Sequence, residues 1–192
     1  MMKPLSIVLI EKIPERAVLI TEALRAECEV TVIDSEQGLA RRIAELAPDL
    51  VLIDVANPSR DTLEELSLAS SPMERPVAMF VDRSDRDLTR AAIEAGLSAY
   101  VVNGLRAERL RPVLDAAIAR FHLFQRMRAE LAATRAALEE RKIVDRAKGI
   151  LMKARGIGED EAYALLRRTA MDQKKKIVEI AQAILTAADL LK

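Results

Sequence analysis

Lys142, Arg146, Gly149 and Lys153 recur at i, i+4, i+7 and i+11, the spacing of one stripe on a helix, and Lys148 lies beside them. Tyr163 and Arg167 share a second stripe with Arg168 next to it, and Lys174, Lys175 and Lys176 follow as a run. Cations in register on helical faces neutralise phosphates without making or breaking bonds, so the chemistry here is electrostatic grip on a polyanion. Gly149 costs a helix interior about 1 kcal/mol against Ala. Its place in the stripe therefore points to close approach by another helix or by a ligand backbone. A second constellation lies far upstream, where Asp54 ends the apolar run LVLID and Glu11 and Lys12 follow the run SIVLI. Neither set contains a nucleophile–base pair, a metal-ligand cluster or a glycine-rich phosphate loop, so no enzyme, metal or cofactor is expected.

The elements that must position these residues read from periodicity. Apolar runs at 6–10, 29–33, 50–54, 77–81 and 99–102 alternate with helix-length segments near 14–26, 36–46, 60–69 and 85–95. Near-continuous β-rich runs suit parallel strands buried on both faces, and five such βα units predict a doubly wound parallel sheet over residues 1–120. Ligands of such sheets bind beyond the carboxyl ends of the strands, which puts Glu11, Lys12, Asp54, Val81, Asp82 and Asn103 together. A last helix begins near Arg106 and continues without interruption, with Pro112 near its start. Phe124, Met127, Leu131, Thr134 and Leu138 fall at 3-4-3-4 spacing within it, an apolar seam that a second chain could cover. Residues 121–138 thus read as a helical coiled-coil linker.

Residues 139–192 read as three short helices. The first buries Ile143, Ala147, Ile150, Leu151 and Ala154. The second opens at Glu159 behind Gly158. The third is expected to take Asp172 as its N-cap, which sets three lysines in its first turn against the helix dipole and favours an anionic partner. Charge divides along the same lines. Residues 1–120 hold 15 Lys and Arg against 20 Asp and Glu, whereas residues 139–192 hold 12 against 9. The single cysteine, Cys28, fits a reducing compartment. The apolar run at the start is too short for a signal segment, so a cytosolic protein is expected. His122, the sole histidine, has no second ligand nearby and reads as an ordinary helix residue. Periodicity alone leaves RNA and DNA open as the polyanion.

The order and strand ends of residues 5–120 resemble the receiver domain of two-component response regulators. In that family the third-strand aspartate is phosphorylated, which places Asp54 as the acceptor-like residue. The resemblance departs at three positions: Lys12 stands where a second Mg²⁺-holding acid is usual, Val81 where Thr or Ser is usual, and Asn103 where Lys is usual. These departures imply a pseudo-receiver, with Lys12 expected to pair with Asp54 in the ion's place. RAKGILM (146–152), EDEAYALLRRTAM (159–171) and KKKIVEIAQAI (174–184) resemble the ANTAR module of transcription antiterminators. That resemblance implies binding of paired stem-loops in a nascent leader RNA, so that the terminator does not form, by a protein that acts as a homodimer. Further stretches, NPSRDTLEE (57–65), GLSAYVVNGL (96–105) and LRPVLDAAIARF (110–121), resemble the NasT-like antiterminators of nitrate and nitrite assimilation. The implication is control by a NasS-like nitrate-sensing partner. The alternative is a phosphorylation-activated regulator with RNA or DNA output.

Overall fold

A computed structural model of the chain describes residues 4–35 and 37–190. Five strands, β1 (Leu5–Ile10), β2 (Cys28–Ile33), β3 (Leu50–Val55), β4 (Val77–Val81) and β5 (Ala99–Val102), form one parallel sheet in the order β2-β1-β3-β4-β5. Leu9 pairs with Val32 on one side and Leu52 on the other, and Asp54 lies opposite Phe80. The strand order reverses direction between β1 and β3, and that switch point is where such sheets carry their sites.

The helices α1 (Pro14–Leu24), α2 (Leu39–Leu46), α3 (Arg60–Ser70) and α4 (Arg86–Glu94) cross between the strands. The sequence starts the second of them at residue 36, which lies outside the described residues. Alternating side chains along each strand build two cores. Val8, Ile10, Val51, Ile53 and Met79 pack with Leu39, Ile43 and Leu63 on one face. Ile7, Leu9, Leu50, Leu52 and Phe80 pack with Ile20, Leu24, Leu110 and Leu114 on the other. Each fully buried Leu, Ile or Phe contributes about 1.5–3 kcal/mol, so the sheet is a stiff platform for the loops at its carboxyl edge.

α5 runs unbroken from Ala107 to Arg155. Pro112 falls in its second turn, not in the first turn where proline is harmless, so Glu108 loses an intrahelical donor there. Residues 1–125 form one compact unit and residues 126–192 another, and α5 belongs to both. The second unit is completed by α6 (Glu159–Asp172) and α7 (Ile177–Leu190). Its core is small: Ala147, Leu166, Ala170, Ile180 and Ala181, flanked by Ile143, Leu151, Ile177 and Ile184. Ala154, expected in this core, is exposed.

Candidate functional site

At the carboxyl edge of the sheet, Glu11 follows β1 and accepts the Ile13 N–H on Oε1 at 2.8 Å. Pro14, with its preset φ, opens α1. Arg16, two residues on, then lays its guanidinium across Asp54: Nε donates to Oδ2 and Nη2 to Oδ1, both at 2.9 Å. The same guanidinium reaches Asp82 at 3.4 Å and stands 3.4 Å from Glu11 Oε2. Arg16 thus grips both oxygens of Asp54 with one guanidinium. Lys12 is exposed in the loop after β1. A planar two-pronged guanidinium also matches both carboxylate oxygens as an ammonium cannot.

Asp54 itself is buried. Burial, and then hydrogen bonding and charge from Glu11, push its carboxyl up to about 7, against the lowering pull of Arg16. Asp82 was visible in the sequence only as a strand end, and Arg16 was not singled out at all. The available signal was an arginine in the first turn of the helix that follows the Glu11 strand end. Of the other expected neighbours, Val81 is fully buried in the core rather than turned to the site. Asn103 closes β5 with a left-handed backbone, φ +77°, and an exposed side chain. Gly104 follows with φ +70°, and a Cβ there would stand 2.8 Å from Asp82 Oδ1, so glycine lets this loop lie against the acid.

In the second unit the basic residues divide into groups. Lys142, Arg146 and Lys153 are exposed along α5, with Lys142 2.7 Å from Glu139. A Cβ built on Gly149 meets nothing within 4 Å, so the gap in the stripe opens outward and is not filled by another helix of its unit. Lys148 is different. Its ammonium lies 2.7 Å from Asp145 and 2.6 Å from Glu159, and only 14% of its side chain is exposed. These two acids, Asp145 first, hold its pKa above the ordinary value. Lys148 ties α5 to the start of α6 and is not part of the solvated stripe. On α6, Tyr163 and Arg167 lie one turn apart and are exposed. Arg168 projects about 100° away into a separate hollow shared with Arg155 and Leu165.

The three lysines lie elsewhere than the sequence placed them. Asp172 ends α6 instead of capping α7, and Lys174 adopts φ +54°. Lys175 N–H donates to Ala170 O and Lys174 N–H to Met171 O, the paired bonds of a Schellman C-cap. Lys176 stands just before α7, its N–H donating to Glu179 Oε2 at 2.8 Å. Two of the three cations thus sit at the negative end of the α6 dipole, where they are favourable. The expected conflict with the α7 dipole narrows to Lys176, which stands just before that helix.

Along α5, Phe124, Met127, Leu131 and Leu138 are each about half exposed. Thr134 turns its hydroxyl back to Glu130 O. Arg120 lies over the Phe124 ring at 5.5 Å.

A β2-β1-β3-β4-β5 sheet with an acid cluster at its carboxyl edge, followed by a small helical unit rich in exposed cations, defines a receiver-fold regulator with a helical output module. Known proteins agree. Residues 132–185 match the ANTAR domain family. The chain is 34% identical over 170 residues to the transcriptional regulatory protein PdtaR of Mycobacterium tuberculosis, covering 86% of this chain and 82% of that one. It is 44% identical over 69 residues to a nitrate regulatory protein of Klebsiella oxytoca, covering 36% of this chain and 17% of that one. A CheY-like receiver domain from Methanospirillum hungatei superposes with TM-score 0.54 at 16% identity, covering 62% of this chain and 98% of that one. The chain belongs to the ANTAR family of response-regulator-like transcriptional regulators, which are not enzymes. No helix among the described residues is long and apolar enough to cross a membrane.

Proposed function

We propose that this chain is an RNA-binding transcription antiterminator that grips two stem-loops of a nascent leader RNA and keeps the terminator from forming. Residues 1–120 serve as a pseudo-receiver, 121–138 as a linker and 139–192 as the RNA-binding module. The observation that carries the reading is the exposed cationic stripe of Lys142, Arg146 and Lys153 around an outward-open Gly149, within the stretch that matches the ANTAR domain. Tyr163 and Arg167 extend the interface, and Lys174 to Lys176 form its second cationic edge. Lys148 contributes by holding the helices in place.

Control comes from a protein partner and not from phosphate on Asp54. Arg16 already occupies both Asp54 oxygens, Val81 has no group to hydrogen-bond a phosphoryl oxygen, and Asn103 has no charge to neutralise one. The partner in this reading is a NasS-like nitrate sensor, and the regulated genes serve nitrate or nitrite assimilation. The similarity to a nitrate regulatory protein favours that assignment. Binding of the full chain to a two-hairpin leader RNA tests the interface. Arg146→Ala with Arg167→Ala is expected to weaken binding at least tenfold and to reduce the slope of log K against log salt by about 0.7–0.9 for each phosphate left without its cation. Unchanged affinity and slope would defeat the proposed face.

A further inference from the structure

The helical unit at the end of the chain holds a hollow of about 510 Å³. α5 lines it with Leu151, α6 with Leu165 and Leu166, and α7 with Ile180 and Ile184. Ala183, exposed on α7, leaves room where a larger side chain would fill it. α6 and α7 are joined by only residues 173–176, so they run antiparallel. Lys175 therefore stands at the turn end of the hollow. Arg155 lines the far end, beside the first half of α6, and it also lines the adjoining hollow with Glu161 and Arg168. Among the described residues neither Arg155 nor Lys175 pairs with a carboxylate. The one acid of the lining, Glu179, lies at the turn end near Lys175, and its Oε2 accepts the Lys176 N–H at 2.8 Å. In the adjoining hollow Glu161 offsets Arg168. The positive charge left without an opposite is that of Arg155.

Size, lining and charge together specify the occupant. Small-ligand pockets run to about 300–1,000 Å³, mostly apolar, with a few polar groups that fix orientation, and this hollow matches on each count. No aromatic ring lines it, so an unstacked nucleobase would find no stacking partner there. The lining along α7 from Glu179 to Ala187 spans about 12 Å at 1.5 Å per residue, too short a track to give a partner helix the ~800 Å² that a stable interface buries on each side. We infer that the hollow binds a free medium-chain aliphatic carboxylate, with its head accepting from the Arg155 guanidinium and its chain lying against Leu166, Ile180 and Ile184. A guanidinium offers a carboxylate two parallel N–H donors. At ~30 Å³ for each water-sized group, the volume admits about 17 such groups, so a chain of roughly eight to twelve carbons fits with water around its head.

The full chain, titrated with sodium hexanoate, octanoate and decanoate at constant ionic strength, provides the test through methyl shifts of Leu165, Ile180 and Ile184. Saturable shifts are expected, with affinity rising up to about fourfold per added methylene. Decanol, which has the same chain without the charge, should bind at least tenfold more weakly than decanoate. Arg155→Gln should erase that difference and leave decanol affinity unchanged. Ala183→Leu, which fills the hollow, should weaken both ligands at least tenfold. Both positions are exposed, so neither substitution opens the core. Non-saturating shifts equal to those from sodium acetate would overturn the inference, as would equal affinity for decanoate and decanol in the unaltered chain or undiminished decanoate binding in either variant. A dimer lost in Ala183→Leu, with no saturable decanoate shift in the unaltered chain, would overturn it too, by assigning the hollow to a second copy.

Discussion

At the scale of single residues, Asp54 is held between opposing forces. Burial and the neighbouring Glu11 favour its protonated form, and Arg16 favours the carboxylate. The balance leaves the carboxyl near 7 instead of 3.8. The folded state therefore holds a proton that the unfolded chain would release. This stabilisation is fully present below about pH 4, declines as pH rises toward 7 and is gone above it. The first unit should lose on the order of 1–3 kcal/mol between pH 5 and pH 8. Asp54→Asn, a neutral isostere, should flatten that slope. Amide exchange of β1 and β3 across the pH range measures it, and a wild-type slope in the Asp54→Asn variant would show that another group is responsible. The strand-end position of Asp54 was legible because a lone acid closes an apolar run. Its partner was not. Arg16 reaches back because α1 begins two residues earlier with a proline.

At the scale of elements, strands were legible nearly to the residue, since runs such as VLI and VAMFV are buried on both faces and admit no other reading. The α6–α7 boundary was not. Asp172 is a reasonable N-cap type and lysines are good helix formers, so local preference placed a helix start where there is a helix end. The turn is decided instead by burial of Ala170, Ile177 and Ile180 in the small core, which fixes where the chain must reverse. Reversal there forces Lys174 into the left-handed region at φ +54°. That conformation costs a non-glycine residue about 1–2 kcal/mol. Lys174→Gly should therefore stabilise the second unit by about 1 kcal/mol. The shift would appear as a higher urea midpoint at unchanged m-value. RNA affinity should fall in the same variant, because the substitution removes a proposed RNA-facing cation. A protein that gains no stability would mean that the Lys174 backbone carries little strain.

At the scale of the whole molecule, the composition conceals a division of labour. The net charge is +0, yet residues 1–120 carry an acidic excess and residues 139–192 a basic one. A basic excess of only three charges on a small helical unit gives one copy modest grip on RNA. The apolar side chains along α5 offer the remedy. Phe124, Met127, Leu131 and Leu138 repeat at coiled-coil spacing and remain about half exposed, and covering them with a second copy would put two RNA-binding units on one particle. Binding of the second hairpin then becomes intramolecular, at an effective concentration that can reach millimolar, and avidity exceeds single-site affinity by about 10²–10⁴. Leu131→Glu with Leu138→Glu buries like charges in that seam and leaves the proposed RNA-binding residues untouched. The double variant should bind an RNA with one hairpin as the unaltered chain does, and should lose at least tenfold on an RNA with two. Sedimentation in the presence of the two-hairpin RNA should show one copy per complex instead of two. Equal losses on both RNAs would mean that the substitutions damaged the RNA-binding unit. No loss on either would mean that the two hairpins are not gripped by a pair joined along α5.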